Sequence, residues 1–127
     1  MKYSLIIPVY NRPDEVDELL ASLEMQTLKD FEVVVVEDGS TIPCLNVVNE
    51  HASRLALRYF QKDNSGPGQS RNYGAERSQG EYLIVLDSDC VLPPGYLQAV
   101  DDDLVPHPDP FADCDAAILY LLVICEY

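Results

Sequence analysis

No lysine or arginine follows Arg77 in this chain of 127 residues. All 8 basic residues and 12 acidic ones lie in residues 1–77, while residues 78–127 add 10 acidic residues, for a net charge of −14. Such a surface repels phosphate backbones and anionic lipid, which argues against nucleic acid or a membrane surface as a direct partner. A polyanionic ligand would need a cation or backbone N–H groups to hold it. The blander reading of the charge is that it keeps a cytoplasmic protein soluble.

Other absences narrow the field further. No apolar run approaches the ~20 residues that span a bilayer; the longest, 116–125, has 10. No small-residue cleavage site follows the N-terminal apolar run, so residues 3–9 read as a buried strand rather than a signal peptide. The 4 cysteines (44, 90, 114, 125) show no C-x-x-C spacing, and His51 and His107 fit no zinc pattern. Reduced cytosolic thiols and two surface histidines are expected. No Gly-x-Ser-x-Gly elbow supports a hydrolase nucleophile. Gly66-Pro67-Gly68 lacks the Gly-Lys-Ser/Thr of a P-loop, and Pro67 has no N–H to donate.

What is present reads as one globular domain, with 47% hydrophobic and 24% charged residues. Residues 3–9 (YSLIIPV) have the nearly continuous apolar character of a strand buried on both faces, and 31–36 (FEVVVV) read as a second, β-branched strand. Residues 55–60 (LALRYF) alternate, as a strand nearer an edge would, and 81–86 (EYLIVL) form a fourth strand. Pro13, with Asp14, Glu15 and Asp17 behind it, opens a helix whose stripe is Val16, Leu19, Leu20 and Leu23. A weaker helix is expected over 43–53. A polar loop, 61–69 (QKDNSGPGQ), precedes a helix over 70–77, and a fourth helix runs to about Leu104. Strands alternating with helices predict an α/β fold: a Rossmann-like, mostly parallel sheet with helices on both faces. Residues 105–127, with three prolines near the start and an apolar end, read as a tail that could be a strand, a helix or outside the fold.

In such sheets ligands bind beyond the carboxyl ends of the strands, where strand order reverses. The first strand brings Pro8, Val9, Tyr10, Asn11 and Arg12 there. The second brings Glu37 and Asp38, and the fourth Asp87 and Asp89. Glu37-Asp38-Gly39-Ser40 is equally well read as an ordinary strand-to-turn transition. In an extended segment Asp87 and Asp89 point the same way and repel. Mg²⁺ or Mn²⁺, which takes one or two carboxylates plus phosphate oxygens and waters, removes that conflict and lets an acidic protein hold a diphosphate. A solvated turn is the competing reading. Arg71, the cation behind the Gly-rich loop, is either a phosphate contact or a helix-surface arginine.

Taken in order, SLIIPVYNRP (4–13), FEVVVVEDGS (31–40), NSGPGQSRNYG (64–74) and GEYLIVLDSDC (80–90) resemble glycosyltransferase family 2, the nucleotide-sugar-dependent transferases of GT-A fold. The resemblance covers residues 1 to about 104, which it marks as the nucleotide-sugar-binding part of the domain. It implies transfer of a sugar from a nucleoside diphosphate sugar, UDP-like, to a saccharide or other acceptor hydroxyl with inversion. It further implies that Pro8, Val9 and Tyr10 line the base, that Asp38 hydrogen-bonds it, that Arg71 contacts the nucleotide and that Asp87 touches the ribose or metal shell. Asp89 would ligate Mn²⁺ or Mg²⁺. Family members run longer, and their later half carries the general base; no residue here, Asp113 and Asp115 included, maps onto it. The chain is therefore expected to be truncated or altered at its C-terminus, with exposed apolar surface that could drive homo-oligomerisation.

Three rivals remain. A nucleotide-binding fragment without transferase activity would keep the donor residues alone. A haloacid-dehalogenase-type phosphotransferase would use Asp87 of LIVLDSDCV as nucleophile, but needs a downstream lysine that is absent. Nucleotidyl transfer usually shows a basic, glycine-rich segment where VYNRPDE stands.

Overall fold

The computed structural model describes residues 2–104 and 120–124. Among the described residues, five strands form one sheet: β1 (Tyr3–Val9), β2 (Phe31–Asp38), β3 (Leu57–Lys62), β4 (Tyr82–Leu86) and β5 (Tyr120–Ile124). Their order is β3-β2-β1-β4-β5, and every pairing is parallel. Four helices join them: α1 (Pro13–Glu24), α2 (Leu45–His51), α3 (Pro67–Arg77) and α4 (Tyr96–Leu104). This is the α/β, Rossmann-like arrangement expected. Among the described residues no helix is long and apolar enough to cross a membrane.

Alternation along the strands divides the core between two faces. Tyr3, Leu5, Ile7 and Val9 of β1 join Val33, Val35, Ile84 and Leu86 beneath α1, α2 and α4. Val16, Leu19, Leu20 and Leu23 of α1 all enter this cluster, as their spacing predicts. Ile6, Leu83 and Val85 point to the other face, toward α3. There Gly74 lets the helix lie close: a Cβ would stand 2.7 Å from Ile6 Cγ2 and 3.2 Å from Val36 Cγ2.

Several boundaries differ from the sequence expectation for local reasons. β2 runs on through Glu37 and Asp38, which stay in register with Gln61 and Lys62. β3 starts two residues later than expected and is an edge strand among the described ones. α3 begins at Pro67 rather than Ser70, because Gly66 at φ 98° turns the chain and Pro67 takes the first helical position. Residues 120–124 pair with β4, so part of the C-terminal segment joins the sheet. His107, Cys114, Cys125, Asp113 and Asp115 lie outside the described residues.

His51 is not a surface residue. It is 5% exposed, with Nε2 2.8 Å from Asp17 Oδ1 and Nδ1 2.7 Å from Glu24 Oε1, so it ties α2 to α1. Burial alone would lower its pKa, but the two carboxylates more than offset that and raise it. Cys44 and Cys90 are buried and stand outside any disulfide.

Candidate functional site

After β3 the chain crosses back over the sheet to place β4 on the other side of β1, so strand order reverses between β1 and β4. The carboxyl ends of two adjacent parallel strands diverge there and leave a crevice. A cleft of about 540 Å³ lies at that point, lined by Pro8, Arg12, Glu15, Pro67, Arg71, Asp87, Ser88 and Asp89. Pro8 comes from the end of β1, Arg12 and Glu15 from the start of α1, Pro67 and Arg71 from α3, and the last three from the turn after β4. Two guanidinium groups therefore share an open crevice with the Asp87–Asp89 turn.

The geometry of that turn differs from the extended segment expected. β4 ends at Leu86, and the Cys90 N–H donates to the Asp87 carbonyl over 3.0 Å, closing a four-residue turn. Both aspartates are exposed and line the same cleft. The Ser88 hydroxyl between them donates to Glu15 Oε2 over 3.1 Å. Arg12 Nε stands 3.8 Å from Glu15 Oε1.

The two carboxylates at the end of β2 are placed otherwise. Glu37 is 2% exposed and accepts from the Cys44 N–H, the Tyr59 hydroxyl and the Ser40 hydroxyl at 2.7–2.8 Å. It is a staple for the loop after β2. Tyr59 is pushed up by burial and by Glu37, so the phenol stays protonated as donor. Asp38 Oδ1 accepts from Lys62 Nζ at 2.6 Å and the Ser65 N–H at 2.9 Å; Oδ2 accepts from the Gly66 N–H at 3.0 Å. Burial works to raise the Asp38 pKa, yet Lys62 and the two N–H groups hold it below the usual carboxylate range. Asp38 thus anchors the loop that leads into α3.

Asn11 completes the rim. It takes φ 53°, in the left-handed region, and its Oδ1 accepts from the Thr41 and Ile42 N–H groups at 2.9 and 3.0 Å. This joins the end of β1 to the loop after β2. Tyr10 beside it is 51% exposed, whereas the Val9 side chain is buried in the core, leaving Val9 only its backbone to offer a ligand. Of the residues singled out from the sequence, Pro8, Arg71, Asp87 and Asp89 line one cleft, with Val9, Tyr10 and Asp38 outside its lining. Arg12, which the end of the first strand brings to this region, carries no role in the sequence reading, and Glu15 is not singled out there. The position of Arg12 just past β1 was the available signal, and the acidity of Glu15 had a sufficient explanation in the helix dipole.

The donor set suits a hard divalent ion of the kind that accepts two carboxylates and completes its shell with phosphate oxygens and water. Among the described residues no three His, Cys, Asp or Glu side chains gather into a metal-binding group. An ion here would depend on oxygens brought by the ligand.

The model of the family described as Glycosyl transferase family 2 matches residues 4–109. An uncharacterized glycosyltransferase of Rickettsia felis is 41% identical over 88 residues, covering 69% of this chain and 15% of that protein. The poly(ribitol-phosphate) beta-N-acetylglucosaminyltransferase TarS of Staphylococcus aureus is 40% identical over 93 residues, 70% of this chain and 16% of its own length. The crystal structure of S. aureus TarS 1–349 in complex with UDP-GlcNAc superposes with a TM-score of 0.80 at 37% identity, over 84% of this chain and 32% of that one. A mannosyltransferase from Pyrobaculum calidifontis in complex with GDP-Man and Mn²⁺ gives a TM-score of 0.75 at 26% identity, over 84% of this chain and 33% of that one. The chain thus spans about a sixth of these curated relatives and about a third of these solved chains.

Proposed function

The chain belongs to glycosyl transferase family 2, and on that premise we propose that its cleft binds the diphosphate of a nucleoside diphosphate sugar, UDP-like, for transfer of the sugar to an acceptor hydroxyl. The observation that carries this reading is the meeting of Asp87, Asp89, Arg12 and Arg71 around one crevice at the strand-order reversal. The two arginines offer charge to phosphoryl oxygens. Asp89, with Asp87 beside it, would hold Mn²⁺ or Mg²⁺, which when bound would supply positive charge against the diphosphate.

The base lies toward the rim, over Pro8 and Tyr10, with the Val9 backbone beneath. Asp38 Oδ2 takes one protein donor where Oδ1 takes two, which leaves it an acceptor direction for a base N–H. Arg71 contacts the nucleotide. In the transfer, the acceptor oxygen attacks the anomeric carbon opposite the leaving diphosphate and inverts it. The group that takes the acceptor's proton is assigned to no residue of this chain. The setting proposed is the cytoplasm, in keeping with Cys44 and Cys90 standing outside any disulfide.

Calorimetric titration with UDP, with Mn²⁺ and again with EDTA, tests the reading. Mn²⁺ should strengthen UDP binding, and Asp89→Ala should abolish most of that gain, about 10-fold or more. UDP affinity indifferent to Mn²⁺, or a gain that survives Asp89→Ala, would remove the site. UDP binding without sugar transfer would assign the chain the donor-binding half of the activity.

A further inference from the structure

We propose that Glu15 and Ser88 are positioning residues for the Asp87–Asp89 turn: the Glu15 carboxylate, set on the first turn of α1, holds the turn through the Ser88 hydroxyl and holds Arg12 with its other oxygen. The inference rests on the diphosphate reading of the cleft and concerns what shapes it.

The turn has reason to need a hold. Two like-charged side chains flank Ser88, and both are exposed. Their mutual repulsion favours splaying, whereas a shared ion requires them to converge. Within the turn the Cys90 N–H donates to the Asp87 carbonyl. Ser88 Oγ donating to Glu15 Oε2 at 3.1 Å adds a tether to a different element. A carboxylate acceptor makes this bond stronger than one between neutral groups.

α1 grips the same segment again further along. Ser22 Oγ accepts from the Leu92 N–H over 3.2 Å, Gln26 Nε2 donates to the Pro93 carbonyl over 2.8 Å, and Gln26 Oε1 accepts from the Leu97 N–H over 3.1 Å. Gln26 is 1% exposed, so these bonds are shielded from water. The stretch from Ser88 to Leu97 is therefore laid along α1 from its first turn to its end. Leu19, Leu20 and Leu23 hold α1 itself on the sheet. Glu15 is the member of this series that reaches the cleft, and the one that also faces a cation. Arg12 Nη1 donates to the Asn11 carbonyl over 3.0 Å while its Nε approaches Glu15 Oε1 at 3.8 Å. One carboxylate thereby touches both a guanidinium and the Asp87–Asp89 turn, and all of them line the cleft.

The test compares UDP affinity with Mn²⁺ and with EDTA for the unsubstituted chain, Ser88→Ala, Ser88→Thr and Glu15→Ala. The ratio of the two affinities is the readout. Ser88→Ala should lower that ratio about fivefold, the worth of one such hydrogen bond, and leave the EDTA affinity unchanged. Ser88→Thr, which keeps the hydroxyl, should restore the ratio to within about twofold, a rescue that general loosening of the fold would not give. Glu15→Ala should lower the ratio as Ser88→Ala does and also weaken UDP in EDTA, because Arg12 loses its guide. An unchanged ratio in Ser88→Ala, or no rescue by Ser88→Thr, overturns the inference and leaves the diphosphate reading standing. No Mn²⁺ effect in the unsubstituted chain overturns both.

Discussion

At the scale of single residues, His51 finds both its partners far away in sequence. His51 meets Asp17 and Glu24 across 34 and 27 residues, distances at which no motif or periodicity points. A neutral imidazole would turn a lone pair toward one of those carboxylates, so the arrangement favours the imidazolium. Its raised pKa makes the stabilisation fully present below about pH 6.5, the ordinary histidine value, and lost as pH rises through the higher folded value. His51→Gln should therefore cost about 1.5–3 kcal/mol near pH 6, as loss of bonds to charged groups does. The deficit should shrink as pH rises above 7. Urea unfolding of both forms across pH 6–9 measures this, and a deficit independent of pH would count against the charged form. Glu37 and Asp38 teach a related lesson. Their type and place made them candidates for ligand contact; donors from Cys44, Tyr59 and Ser40 occupy Glu37, while Lys62, Ser65 and Gly66 hold Asp38 and leave its Oδ2 one acceptor direction.

At the scale of elements, strands were legible where apolar residues run unbroken. β1 matches its expected limits, β4 starts one residue later than expected, and β2 runs two residues past its expected end because polar Glu37 and Asp38 stay in register with β3. α1 was legible from its stripe and Pro13. α3 was shortened in the reading because Gly66-Pro67-Gly68 carries the signals of a loop, although the same proline is well suited to a helix start. The two glycines of α3 in fact do different things. Gly74 is pressed against Ile6 and Val36, while a Cβ at Gly68 would meet nothing within 4 Å. Gly74→Ala should destabilise by about 1–3 kcal/mol through overpacking against β1. Gly68→Ala should be neutral or add up to about 1 kcal/mol, since alanine restricts the unfolded chain and meets no neighbour. Thermal unfolding of the pair separates them; equal effects would mean that α3 does not sit where Gly74 requires. The cleft was only half legible for the same reason. Strand ends point to Pro8, Arg12, Asp87 and Asp89, but Glu15 projects from the first turn of a helix, which sequence reads as dipole chemistry.

At the scale of the whole molecule, the charge of −14 and the paired carboxylates pull the pH dependence of stability in opposite directions. Glu32 and Asp38 are buried, which would raise their pKa values, yet their hydrogen bonds and the cations Arg58 and Lys62 lower them. Glu24 is likewise lowered by His51 and Arg54 against its burial. Asp101 is lowered by its hydrogen bonds to Lys2 and Tyr3. Each such carboxylate stabilises fully above its unfolded value, near pH 4, and that contribution is lost as pH falls through the lower folded value. Rising pH acts the other way, through the lost His51 contribution and through the self-repulsion of unpaired acidic groups. Stability should therefore peak near pH 5, below neutrality, and decline toward pH 8. Salt distinguishes the two components of that decline. About 0.5 M NaCl shortens the screening length to a few Å, so it should relieve surface repulsion and raise the melting temperature at pH 7.5 more than at pH 5. The partly buried His51 cluster is screened less, so a residual slope between pH 6 and 8 should persist in salt and vanish in His51→Gln. Melting curves over pH 4–8 at low and high NaCl would show this. A melting temperature that climbs steadily to pH 8 would contradict both components.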